Sequence, residues 1–204
     1  MPKTADEVIQ SSACQRFIDQ ARTAAAIVHE IESYEQAVAY TVDLCEKHEL
    51  SRVSISEADP YEGAEKTVAA PSLTSEEYTL LVSRCQEKGI VTIDSGMRHY
   101  LAGVDIGLSY ADIGIAETGT IVISCPDEEL RLATMLAERH VCLVPRRRIV
   151  ADAYEAEPLL QRFMLNTPNY TAFITGPSRT ADIERVLAIG VHGPLELHVL
   201  VMED

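Results

Sequence analysis

The chain has 204 residues, 47% of them hydrophobic and 24% charged, enough for one sizeable core in an ordinary globular protein. Its formal net charge of −15 argues against non-specific binding to DNA, RNA or anionic lipid. An anionic ligand would therefore have to be held by locally clustered arginines or by helix N-termini.

The first fifty residues read as helical. Thr4 followed by Glu7 is a capping-box pattern, and Val8, Ala13, Phe17, Ala21 and Ala24 to Val28 recur at helical spacing. A second helix is predicted from Glu35 to about His48, after Ser33 and with Gln36 at the capping-box position. The period then changes. Val53-Ser54-Ile55-Ser56 alternates as a strand, and Tyr61 to Leu73 reads as a loop. Thr74 with Glu77 opens a helix that runs to Lys88 and stops at Gly89, and Ile90 to Ile93 is a short strand.

Beyond this point strands and helices alternate. Asp105 to Tyr110 reads as a short strand or a helix end, and Ile113–Ala116 and Gly119–Cys125 as strands around "AETG". A helix is predicted over Pro126–His140, a strand over Val141–Val144 and a helix over Tyr154–Leu165. The remainder reads as a strand at Thr171–Ile174, a helix at Ala181–Ile189 and a strand at Leu195–Met202. This alternation predicts an α/β fold: an open, mostly parallel sheet with helices on both faces. The expected boundary lies near residue 50, between an N-terminal helical portion (1–50) and an α/β core domain (51–204).

The opening "MPKTADEVIQ" lacks the basic-then-apolar layout of a secretory signal, and no apolar run approaches the roughly 18 residues of a membrane span. The five cysteines, Cys14, Cys45, Cys85, Cys125 and Cys142, are an odd number with no CxxC pair. They support neither a complete disulfide framework nor a Cys-ligated cluster or zinc site. The expectation is a cytoplasmic protein with reduced, buried cysteines and no metal.

Three stretches carry candidate chemistry. In "GPSRTAD" a glycine loop leaves a strand, Ser178 and Thr180 offer hydroxyls, and Arg179 offers a planar fork for carboxylate or phosphate. The plainer reading is a helix cap, with Thr180 capping and Asp182 in the first turn. In "AETGT", Gly119 between Thr118 and Thr120 makes a tight turn, and Glu117 is a candidate base, nucleophile or ligand anchor, or else a solvated carboxylate. In "GVHGP", His192 between glycines is a candidate proton carrier, or merely an exposed turn residue. Arg146-Arg147-Arg148 after a strand, and Arg131 early in a helix, are weaker anion signals. No GxGxxG, GxxxxGK[ST] or GxSxG occurs.

"ADIGIAETGTIVIS", "GPSRTADIE" and "GVHGP", in this order, resemble the LUD domain of bacterial lactate-utilisation proteins, most of all its small cluster-free C type. The likeness covers roughly residues 85 to 204. It implies a core similar to the NagB/RpiA/CoA-transferase-like fold and a part in oxidising L-lactate to pyruvate. The iron–sulfur clusters would then belong to partner proteins, and the resemblance leaves any cofactor of this chain unknown. Glu117 and His192 become the candidate catalytic residues. Thr118, Gly119, Thr120, Gly176, Ser178, Arg179, Thr180, Asp182 and Gly193 become the candidate binding residues for a small anionic ligand, expected at the C-terminal edge of the strands. "VPRRRIV" is more basic than the family pattern. Two alternatives stand beside this reading. One is a self-contained transferase or ligase acting on a CoA thioester, nucleotide or sugar phosphate, with Glu117 as nucleophile or base and Arg179 as anion anchor. The other is a non-catalytic module that holds iron–sulfur partners through the apolar face of its N-terminal helices.

Overall fold

The computed structural model describes residues 5–47, 65–100, 103–166, 169–181, 187–189 and 193–203. Helix α1 (Ala5–Thr23) buries Cys14, Phe17, Ile18 and Ala21 along one stripe. The Ala-rich segment after it is a turn and a strand, not more helix. The Ala26 amide donates to the Ala21 carbonyl at 2.9 Å and Ala25 lies at φ +66°, which closes the helix. Strand β1 (Ile27–Ile31) follows, and then α2 (Tyr34–Lys47), whose Ala37, Val38, Val42 and Cys45 are buried. The predicted strand at Val53–Ser56 and the capping residue Thr4 lie outside the described residues, as does the expected boundary near residue 50.

Within the predicted loop, Thr67–Ala69 forms a fully buried strand, β2. Helix α3 (Ser75–Gln86) starts as expected, with both bonds of the Thr74–Glu77 capping box present. Strand β3 (Val91–Ile93) and the ambiguous segment, now β4 (Val104–Tyr110), come next, and β5 (Ile113–Ile115) and β6 (Thr120–Cys125) form the predicted pair. Helix α4 (Glu128–Leu136) ends earlier than its sequence suggests. Ala137 to His140 instead open the nine-residue strand β7 (Ala137–Pro145). Pairing on both sides outweighs helix propensity there: Ala137 aligns with Val104, and Arg139 aligns with both Ile106 and Glu196.

A short 3-10 turn (Arg146–Arg148) leads into β8 (Ile149–Val150), α5 (Ala153–Leu165) and β9 (Tyr170–Ile174). The helix predicted over 181–189 is corrected. Strands β10 (Arg179–Ala181) and β11 (Leu187–Ile189) pair antiparallel in its place, Arg179 aligned with Ile189 and Ala181 with Leu187. Strand β12 (Glu196–Met202) ends the fold.

Six strands form one parallel sheet in the order β1-β12-β7-β4-β2-β3. Its central strands are almost wholly buried, as strands covered on both faces must be. Alternate residues serve the two faces. Ile106, Leu108, Val141 and Leu143 meet α2 and α3. Cys142, Val144, Val199 and Val201 meet α1 and the inner side of a second, four-stranded sheet, β8-β5-β6-β9. Helix α5 covers that sheet's outer side through Ala156, Leu159, Leu160 and Phe163. The apolar faces of α1 and α2 are thus consumed by this chain's own core, and β1 from the same N-terminal portion forms an edge of the main sheet. Helix α4 lies hard against β4. A Cβ on Gly107 would stand 2.4 Å from the Ala133 carbonyl oxygen, so only glycine allows this approach. All five cysteines are free and buried.

Candidate functional site

Parallel strands direct their carboxyl ends to one edge, which is where open α/β sheets bind ligands. Here that edge carries a cleft of about 610 Å³. Its wall includes the last residues of β4, β7 and β12, namely Tyr110, Pro145 and Met202, together with Pro71 and Ser72 beyond β2. The N-termini of α3 and α4 open into it through their N-caps, Thr74 and Asp127. Arg147 and Arg148 line it from the turn after β7. Arg146 turns elsewhere, pairing with Glu30 and Glu203.

The carboxylates in this cleft mostly serve the fold. Asp127 accepts the Leu130 amide at 3.1 Å and caps α4. Glu77 completes the α3 capping box and accepts the Tyr110 hydroxyl at 2.6 Å. Burial acts to raise Glu77, but the hydrogen bonds from Tyr110 and Thr74 outweigh it and hold the carboxyl below its ordinary range. Burial and the same bond push the Tyr110 phenol far upward, so it stays a donor at neutral pH. Asp112 accepts the Ser124 amide at 2.8 Å and stands 4.0 Å from Arg148. Burial raises its pKa, only partly offset by the Ser124 amide and Arg148. Arg148 is tethered by a 3.1 Å bond from Nη1 to the Ala111 carbonyl. Two helix N-termini and two guanidinium groups therefore share one edge with three carboxylates, of which Glu77 and Asp127 are engaged in capping those helices.

The sequence motifs gather elsewhere. Gly176, Ser178 and Gly193 line a second cleft, of about 310 Å³, between β9 and the amino ends of β7 and β12. The Ser178 amide donates to the Pro194 carbonyl at 2.9 Å, joining "GPS" to "HGP" just before β12. A hydroxyl chain joins "ETGT" to the same loop: Thr118 to Thr120 at 2.7 Å, and Thr120 to Thr175 at 2.7 Å. The three motifs do meet, but beside the strands' amino ends rather than at their carboxyl edge. The topology decides this, because the loop before β12 cannot lie at the end where β12 finishes.

The candidate residues fare differently. Glu117 is exposed, with its amide on the Ala151 carbonyl, and its side chain lines neither cleft. Gly119 has φ +65° and is pressed onto α1, where a Cβ would fall 2.2 Å from the Ala21 nitrogen. Its glycine is required by packing. Arg179 and Thr180 occupy β10, with no helix starting at them. Asp182 and His192 lie outside the described residues. Arg131 stacks over the Tyr170 ring, 5.6 Å from its centroid, at the second cleft.

Sequence reading missed His140, which sits in what reads as the end of a helix. Its imidazole is buried, lines the second cleft and lies 2.8 Å from Ser109 Oγ through Nε2. It also missed Tyr110 and Asp112, although polar residues at the carboxyl end of an apolar parallel strand are a usable signal. Among the described residues, no group of three or more His, Cys, Asp or Glu is placed to hold a metal, and no helix is long and apolar enough to cross a membrane.

Lactate utilization protein C of Oceanobacillus iheyensis is 31% identical over 102 residues, 48% of this chain and 44% of that protein. Lactate utilization protein C of Anoxybacillus flavithermus is 36% identical over 100 residues, 49% of this chain and 44% of that protein. The matched part thus spans less than half the length of these relatives. A crystal structure of a DUF162 family protein from Deinococcus radiodurans superposes with a TM-score of 0.63 at 16% identity, over 98% of this chain and 99% of that one, and shares its fold. A family model for the LUD domain matches residues 14–202, and the chain belongs to the LUD domain family.

Proposed function

We propose that this chain is a component of a lactate-utilisation system that oxidises L-lactate to pyruvate with iron–sulfur partner proteins, and that it holds a small carboxylate in the cleft at the strand carboxyl edge. The observation that carries the site is the convergence of Arg147, Arg148 and the N-termini of α3 and α4 on one cleft of a strongly acidic chain. The names of the relatives support the pathway. Arg147 and Arg148 would neutralise the carboxylate, and the Tyr110 hydroxyl, held by Glu77, would orient a hydroxyl or carbonyl beside it. In this reading electrons pass through the partners, and this chain binds and positions.

Thermal unfolding with L-lactate and pyruvate tests the site. A ligand at about 100 times its Kd adds roughly 2.7 kcal/mol, which for a chain of this size moves the midpoint by roughly 5–10 °C. The shift should vanish in Arg148→Ala; no shift with either acid in a folded sample overturns the site. Deleting the gene in a strain without other L-lactate dehydrogenases tests the pathway, and undiminished growth on L-lactate overturns it.

A further inference from the structure

We infer that the second cleft, between β9 and the amino ends of β7 and β12, is a binding site for an uncharged aromatic ring bearing a hydroxyl or carboxamide, which pairs with His140 Nδ1. It is a different site from the carboxylate cleft and takes a different class of molecule.

Two independent observations converge there. The first is a polar atom without a partner. His140 is 1% exposed, its Nε2 is engaged by Ser109, and Nδ1 has no hydrogen-bond partner among the described residues. Such a buried atom costs free energy unless something pairs with it. The second is apolar surface left open. Met135, Tyr170 and Phe173 are 49%, 49% and 55% exposed, and all three line this cleft. Exposed apolar side chains set among a few polar groups, here His140 and the hydroxyl residues Thr134, Thr171, Thr175 and Ser178, are the usual form of a small-molecule site, and about 310 Å³ is at the small end of the range for such sites.

The chemistry of the wall selects the ligand. None of its described lining residues carries a charged side chain at neutral pH, since burial and the charge of His198 hold His140 down to about 4. Within the cleft an anion would find no counter-charge, because Arg131 stands behind the Tyr170 ring at the mouth and pairs with Glu128, inside a chain of net charge −15. A hydroxyl or carboxamide both donates and accepts, so it satisfies Nδ1 in either imidazole tautomer. The ring would lie against Phe173, with Tyr170 at the mouth held by Arg131.

The test is titration of the full chain with benzamide, phenol, benzoate and toluene, followed by NMR of the His140 ring and the Met135 methyl. Benzamide and phenol are expected to shift both signals saturably, with benzoate and toluene at least tenfold weaker. Phe173→Ala, at an exposed position that leaves the core intact, should weaken benzamide at least fivefold. His140→Asn should bring benzamide down to the toluene value if it folds. Arg148→Ala should leave benzamide binding unchanged, so this site and the carboxylate site fail separately. Absence of saturable shifts at millimolar benzamide, equal binding of benzoate or toluene, or an unaltered Phe173→Ala overturns the inference.

Discussion

At the scale of single residues, Gly119 shows how a motif position can be fixed by packing. It combines φ +65° with direct contact on the α1 backbone, and a Cβ would come within 2.5 Å of the Gln20 carbonyl carbon. Neither cost can be relieved by a rotamer change, because the opposing atoms are main chain. A left-handed non-glycine residue costs roughly 1–2 kcal/mol, and overpacking adds typically 1–3 kcal/mol. Gly119→Ala should therefore lower the thermal midpoint by roughly 5–15 °C. Thr118→Ala, one residue away and exposed, should move it by only about 2 °C. Calorimetry on both variants separates the two accounts. A Gly119→Ala protein as stable as wild type would remove packing as the reason for the glycine. The hydroxyls of Thr120 and Thr175, by contrast, bond to each other, so either can be removed singly to ask whether the loop keeps its place.

At the scale of elements, the end of α1 carries a cost that the sequence hides. Ala25 is exposed, adopts φ +66° and sits where helices favour glycine. Ala25→Gly should relieve roughly 1–2 kcal/mol of left-handed strain against about 0.4–1 kcal/mol of added chain entropy. A rise of roughly 1–4 °C in the midpoint is the expected outcome, and a fall would show that strain does not govern this turn. The same residue explains why β1 reads as helix in the sequence. An alanine run gives no stop signal, and β1 buries only Val28 and Ile31, too few to show alternation. Elements with local signals were legible: the Thr74–Glu77 box fixed the start of α3, and the pair β5–β6 followed from its turn. Elements defined by partners were not. Three residues of β2 become a strand only between β3 and β4, and the β10–β11 pair replaces a helix-like pattern. The candidate site divides in the same way. That the three motifs meet was legible in their residue types, but which strand ends share an edge is set by a strand order that no local pattern encodes.

For the whole molecule, buried His140 ties the layers to acid stability. Its imidazole stands between the main sheet and the second cleft, bonded to Ser109 on the neighbouring strand. Burial, with the charge of His198, lowers its pKa from 6.5 to about 4. In the unfolded chain the group protonates near 6.5, so the folded state binds fewer protons between these values. Its contribution to stability is therefore complete above pH 6.5 and is lost as pH falls toward 4. By pH 4.5 the loss amounts to roughly 2–3 kcal/mol from this residue alone. Glu77 and Glu196, both held below their ordinary range, lose their contributions as pH falls into the carboxylate range, whereas Asp112, raised by burial, works the other way. Chemical denaturation of wild type and His140→Gln at pH 7.5 and pH 4.5 isolates the histidine. The variant is expected to start less stable, having lost the Ser109 contact geometry, but to fall by roughly 2–3 kcal/mol less between the two pH values. Equal acid losses in the two proteins would mean that His140 is protonated in the folded state. A ring ligand on Nδ1, which favours the neutral imidazole, should steepen the wild-type slope further and leave the variant's unchanged.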